Sequence, residues 1–262
     1  MQALKAIILG IVEGITEFLP VSSTGHLIIA SDWLRYPVEQ RATFEIFIQM
    51  GAILAVYWHY RVDLLDLARR SARQESARQL IGKVFVAFLP AAVVGLLIHH
   101  WIEDHLFSVR AVAGAFIVGG LVIWLVELRP RRPTVTRIEA MSWREAVWIG
   151  IAQVTSLYPG VSRAAATIVG GLLVGMDRPA ATQFSFYLAL PTLTAASLFS
   201  LAKALKTITP GEASSLALGF VTAFIVALLV IRGFLRYVQS HDFRPFAYYR
   251  IVAGALLLLF LS

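Results

Sequence analysis

The chain of 262 residues contains no cysteine, so neither a disulfide framework nor a thiolate metal site is available to it. Charge is also scarce. Asp, Glu, Lys and Arg make up 15% of the residues, against about 25% in an ordinary soluble domain. Residues 179–202 and 213–231 carry no charged side chain at all. Each could cross a hydrocarbon core of about 30 Å as a helix. A soluble helical protein is thereby disfavoured. The first thirty residues do not read as a cleaved signal peptide, because Glu13 and Glu17 interrupt their apolar run and no small-residue cleavage site follows.

What is present is hydrophobic: 58% of the residues, with a mean hydropathy of +0.73. The expected fold class is all-α, a polytopic membrane protein. Six spans are read near 42–60, 80–100, 110–128, 180–203, 214–232 and 246–262. Two further apolar stretches, 3–32 and 144–176, are broken by "FLPVSSTGH" and "YPGVSRAAAT". Polar, proline-containing breaks are tolerated in a bilayer only where they are buried in protein or line a cavity. Both stretches are therefore expected to be re-entrant helix–loop–helix hairpins. On this topology the segments 61–83, 129–144, 178 and 232–250 put sixteen Lys and Arg on one side, and only six lie on the other. The positive-inside rule makes the sixteen-charge side cytoplasmic and both termini periplasmic. The net charge of +7 is then topological, and a nucleic-acid partner is not expected.

A shift of 140 residues superimposes Gly10-Ile11-Val12-Glu13 on Gly150-Ile151-Ala152-Gln153, and Val21-Ser22 on Val161-Ser162. One membrane domain built from two repeats, about 1–128 and 141–262, is expected. Each repeat holds one hairpin and three spans, so the second is inverted and the hairpins meet from opposite faces.

The hairpins carry the chemistry. Glu13 and Glu17 are four residues apart and share a helix face. Carboxylates in hydrocarbon need a partner, and a divalent cation, Mg2+ or Ca2+, with phosphate oxygens completing its shell, would supply one. Ser22, Ser23 and Thr24 offer hydroxyls after Pro20, and His26 is a candidate acid, base or nucleophile. In the second hairpin Gly160 permits a tight turn, and the following helix N-terminus with Arg163 makes a phosphate site. Ser162 and Thr167 add donors. Glu45 and Gln49, on the first span, could face the same cavity.

These residues resemble a family, the bacterial undecaprenyl-diphosphate phosphatases of the bacitracin-resistance type. "EGITEFLPVSSTGH" is similar to the family's first signature, and "PGVSRAAAT" to its second, with Ala164 in place of the usual serine. "TFEIFIQMGAILAV" and "FAYYRIVAG" extend the resemblance along the chain. It implies an inner-membrane enzyme that hydrolyses undecaprenyl diphosphate to undecaprenyl phosphate and inorganic phosphate with a divalent cation, at a site open to the periplasm. The activity would recycle the lipid carrier of peptidoglycan synthesis and contribute to bacitracin resistance. The implied partners are the polyprenyl diphosphate and the bilayer, with a homodimer left open. Glu13 and Glu17 would hold the metal, and Arg163 the phosphate. Ser22, Thr24, Gly160, Ser162 and Thr167 would support binding, and either Ser23 or His26 would attack phosphorus. The rival expectation is a secondary transporter or lipid flippase, which broken helices in an inverted repeat would equally suit.

Overall fold

The computed structural model describes residues 2–106, 108–129, 132–204 and 212–260, 84% helical with no strand among them. Residues 2–33 form two helices, α1 (Gln2–Thr16) and α2 (Ser23–Trp33), separated by a turn. They are followed by α3 (Val38–His59), α4 (Arg61–Ser71), α5 (Glu75–Leu106) and α6 (Val109–Leu128). The second half repeats the opening motif. Helix α7 (Trp143–Val154) runs through a short 3-10 turn at Thr155–Leu157 and a break into α8 (Arg163–Leu173). Helices α9 (Arg178–Ala204), α10 (Ala213–Tyr237) and α11 (Arg244–Phe260) complete the fold.

Local sequence accounts for the breaks. Pro20 stops α1 from continuing, and Ser22 then turns the chain with φ 74°. Ser142 and Glu145 form a reciprocal capping box that starts α7. Ser162 caps α8 by accepting from the Ala165 amide at 3.1 Å. Gly160 adopts φ +91°, a backbone conformation that only glycine takes without strain.

Among the described residues, four helices are long and apolar enough to cross a membrane, over Glu75–Ile98, Val109–Leu128, Arg178–Ala202 and Ala213–Tyr237. They match four of the six expected spans. The other two expected spans are also helical, but α3 carries Arg41, Glu45 and Gln49, and the described part of α11 has only 17 residues. Helix α4 was not expected. It exposes Val62 and Leu65 beside Arg69 and Arg70, an amphipathic pattern that suits a membrane surface. Large apolar side chains such as Leu97, Leu229 and Leu259 are exposed on the outside, as expected where the solvent is lipid.

The helices pack through small residues. A Cβ on Gly10 of α1 would lie 2.7 Å from the Gly219 carbonyl of α10, and one on Gly150 of α7 would lie 2.5 Å from the Ala87 carbonyl of α5. Close backbone approach of this kind is how helices associate where no hydrophobic effect drives them together. The pairings run in parallel between the halves: α1 packs on α10 and α7 on α5, while α3 packs on α10 and α9 on α5.

Two charges counted with the loops are buried in the fold. Arg250, counted with the cytoplasmic loops, has 0% exposure in the middle of the fold. Lys83 is also buried and donates to the Glu139 carbonyl at 3.3 Å. Both stand inside helices, Lys83 in the third turn of α5 and Arg250 in the second turn of α11, and the tertiary fold closes over them. Arg178 does sit at a helix end, in a fork with buried Glu127 that ties α9 to α6.

Candidate active site

The two interhelical breaks meet, and one cavity of about 550 Å3 opens where they do. From the first hairpin Glu17, Ser22, Ser23 and Thr24 line it, and from the second Gly160, Ser162 and Arg163. Seven of the ten residues singled out in the sequence thus share one wall. Glu13, His26 and Thr167 do not reach it. Gln49 lines the cavity as expected, and Glu45 does not.

Ser23 begins α2, so its hydroxyl points back across the turn to the end of α1. It donates to Glu17 Oε2 at 2.5 Å, a charge-assisted bond at the short end of its range. Arg163 Nη2 stands 3.5 Å from the other carboxylate oxygen, Oε1. Both members of that ion pair are buried. Arg163 Nη1 donates to the Ser185 carbonyl at 3.2 Å, whereas Nε and Nη2 make no hydrogen bond. The guanidinium therefore holds donors in reserve beside a cavity. An oxyanion entering there would satisfy them.

Ser162 joins the hairpins by donating to the Leu19 carbonyl at 3.3 Å while it caps α8. Thr167 stands one turn behind Arg163. Its hydroxyl bonds the Ser185 hydroxyl at 2.7 Å, so it braces the residue whose carbonyl holds Arg163. Ser185 escaped the sequence reading. Under the 140-residue shift it aligns with Glu45, the one signal that could have drawn attention to it.

His26 faces away from the cavity. Its Nδ1 lies 2.7 Å from the Ser22 carbonyl and its Nε2 lies 2.5 Å from the Tyr249 hydroxyl. A carbonyl can only accept, so Nδ1 carries the proton and Nε2 accepts from the phenol. The ring thereby holds the φ 74° turn at Ser22, immediately before Ser23.

Glu13 is 1% exposed, and its Oε2 has no hydrogen-bond partner. Glu17, Glu45 and Arg163 are all within electrostatic reach. An orphaned carboxylate oxygen one turn from a second carboxylate suits a hard divalent cation. Among the described residues no three His, Cys, Asp or Glu gather into a cage, so substrate oxygens would have to complete the shell.

Beyond these residues and a few polar groups such as Ser156, Thr192 and Ser200, the cavity is lined by apolar side chains. Phe88, Ala92 and Leu96 of α5 face Leu193, Ala196 and Phe199 of α9. Both helices contain an internal proline at this level, Pro90 and Pro191, and a proline removes a backbone bond and bends a helix. The site therefore joins a charged end to an oily groove.

Known proteins share this chain along almost its whole length. An undecaprenyl-diphosphatase of Nitrosospira multiformis is 50% identical over 98% of this chain and 94% of its own. Those of Dechloromonas aromatica and Caldanaerobacter subterraneus are 49% and 46% identical, over 97% and 99% of this chain and 93% and 96% of theirs. Residues 6–256 match the family described as bacitracin resistance protein BacA, and with relatives so similar over so much of its length, the chain belongs to that family.

Proposed function

We propose that this protein hydrolyses undecaprenyl diphosphate to undecaprenyl phosphate and inorganic phosphate. The observation that carries this reading is the Ser23–Glu17 hydrogen bond of 2.5 Å beside Arg163 on one cavity wall. It pairs a nucleophile with a base next to unspent cationic donors, the pattern of covalent catalysis. The names of the relatives agree with it.

In the proposed reaction the diphosphate enters the polar end, while the tail lies between α5 and α9. Arg163 and the hydroxyls of Ser22, Thr24 and Ser162 bind its oxygens. Ser23 Oγ attacks the terminal phosphorus and its proton passes to Glu17. The bond from phosphorus to the bridging oxygen breaks, and undecaprenyl phosphate leaves with that oxygen. Glu17 hands the first proton to that departing oxygen. Water then attacks the phosphoserine and gives a proton to the freed Glu17 carboxylate, which returns it to the Ser23 oxygen as inorganic phosphate departs. Positioning and charge stabilisation carry most of such a reaction. Between the two nucleophiles left open by the sequence, the geometry favours Ser23. His26 serves it by holding Ser22.

A divalent cation, Mg2+ or Ca2+, when bound would neutralise phosphate charge, and Glu13 and Glu17 would hold it. We place the site on the periplasmic side of the inner membrane. Its groove runs toward the C-terminal ends of α5 and α9, away from the arginine-rich ends that the positive-inside rule makes cytoplasmic. Recycling of the lipid carrier, and with it a contribution to bacitracin resistance, follows from that location. The proposed topology remains six spans and two re-entrant hairpins in an inverted repeat, supported by the parallel packing of the two halves.

The test is phosphate release from undecaprenyl diphosphate by purified protein in detergent, with Ser23→Ala alongside. Release by wild type and none by the variant is expected. Absence of release with every cation tried would instead favour a transporter, which the parallel halves also suit.

A further inference from the structure

Among the described residues Arg250 is the largest fully buried side chain, and it makes no ion pair with any of them. Its guanidinium is spent on backbone carbonyls. Nη1 donates to Pro20 at 3.3 Å, and Nη2 donates to Gly160 at 3.0 Å and to Ala115 at 2.9 Å. Nε reaches Phe116 at 3.4 Å, and the cation lies 5.3 Å from that residue's ring. Burying a lone cation in this way is costly, so its position calls for a reason.

The acceptors supply one. Pro20 lies in the turn of the first hairpin, three residues before Ser23. Gly160 lies in the turn of the second, three residues before Arg163. Neither carbonyl sits within a helix, and both would otherwise be unsatisfied. Helix α6 is shaped to admit the group. A Cβ on Gly119 would fall 2.3 Å from Arg250 Nη2. Next to Arg250 on α11, Tyr249 holds His26, which holds Ser22. One helix thus anchors both turns from behind, on the side away from the substrate groove.

We propose that Arg250 is a positioning residue: by gripping both hairpin turns it sets the separation between Ser23 and Arg163, and so between the attacking oxygen and the phosphate it attacks. The inference rests on the phosphatase reading. A flat, forked guanidinium is required, because an ammonium cannot span four acceptors in a fixed plane.

Two variants approach the clamp from different helices, Arg250→Lys from α11 and Gly119→Ala from α6. Neither residue lines the cavity. Misplacement on the ångström scale can lower a rate about 100-fold. Arg250→Lys is expected to lower kcat by at least tenfold while KM for undecaprenyl diphosphate stays within about threefold, because the tail groove is untouched. Gly119→Ala should lower kcat in the same sense. A loss of packing alone would reduce the folded fraction and leave the kcat of folded molecules unchanged. That result, or an unchanged kcat in a folded Gly119→Ala protein, overturns the proposal. Melting with and without inorganic pyrophosphate gives a second measure that needs no turnover. Wild type should be stabilised by the anion, and Arg250→Lys should lose most of that shift. A shift retained in Arg250→Lys overturns the clamp. Failure of wild type to release phosphate would refute the hydrolysis reading alone.

Discussion

Replacing Glu17 by Gln separates two roles that one carboxylate plays. The amide oxygen can still accept the Ser23 hydroxyl now 2.5 Å from Oε2, so the geometry of the turn should survive. Basicity does not. A positioned general base contributes about 10²–10⁴ in rate, or about 2.7–5.4 kcal/mol of barrier at 1.36 kcal/mol per decade. The second consequence falls on Arg163, which is buried 3.5 Å from Oε1. Removing one partner of a buried pair costs about 3–5 kcal/mol of stability, because the other charge is stranded. The single variant should therefore be both slow and thermally weak. Glu17→Gln combined with Arg163→Met should recover most of the melting temperature and none of the activity. Phosphate release and fluorescence-detected size exclusion after heating measure the two quantities separately. A drop of less than tenfold in kcat for Glu17→Gln would show that Ser23 is not deprotonated there, and the assignment of the base would fall.

Other consequences can be checked with the same preparation. Gly160→Ala must hold φ +91° with its Cβ 2.9 Å from the Val112 carbonyl; at about 1–2 kcal/mol for the backbone and about 1–3 for the overpacking, we expect a melting loss together with impaired turnover. Arg178→Ala leaves the buried Glu127 carboxylate with the Phe243 amide as its remaining donor and should cost about 1–3 kcal/mol, with kcat unchanged in the molecules that remain folded; a fall in kcat per folded molecule would contradict the assignment of that pair to structure alone. Chelation should abolish turnover in wild type, and Glu13→Gln should raise the cation concentration for half-maximal activity at least tenfold; activity indifferent to chelator would remove the cation from the scheme. Cysteines at Trp33, which is 84% exposed, and at exposed Ser76 should be labelled from opposite faces of the membrane, and labelling from one face would break the topology.

The parts of the site that could be read from the sequence are those where polarity is anomalous. Glu17, Ser23 and Arg163 stand out because hydrocarbon excludes such groups, and the breaks at Pro20 and Gly160 stand out because a helix does. All five lie where the hairpins meet. His26 belongs to the same stretch, yet its direction was not legible. Three residues after Ser23 it is on nearly the same helix face, and only α11 shows that it turns toward Tyr249. Arg250 was hidden for the opposite reason. An arginine near the start of an apolar run reads as a loop charge, and nothing local reports that Gly119 leaves a slot for it. The groove on α5 and α9 was equally silent, because an apolar residue facing a cavity and one facing lipid have the same chemistry.

The proposed repeat explains why the active residues lie where they do. Ser23 and Arg163 are 140 residues apart, so they occupy the same position in the two hairpins, and Glu13 and Gln153 likewise correspond. An inverted repeat brings equivalent positions face to face across its axis. Two identical residues there would gain little: two serines leave the phosphate charge unbalanced, and two arginines offer no nucleophile. In the proposed reaction, divergence at this one position yields an attacking group and an anion clamp that confront each other without further construction. The same asymmetry extends one layer back. Glu13 gives the first hairpin a second carboxyl group, whereas Gln153, equally buried and with its side-chain oxygen accepting from Thr192 at 3.4 Å, gives the second an amide. A carboxylate at that position would sit on the hairpin that carries Arg163 and compete with substrate for its guanidinium. The proposed chemistry therefore depends on the two halves remaining alike in backbone and unlike in side-chain charge.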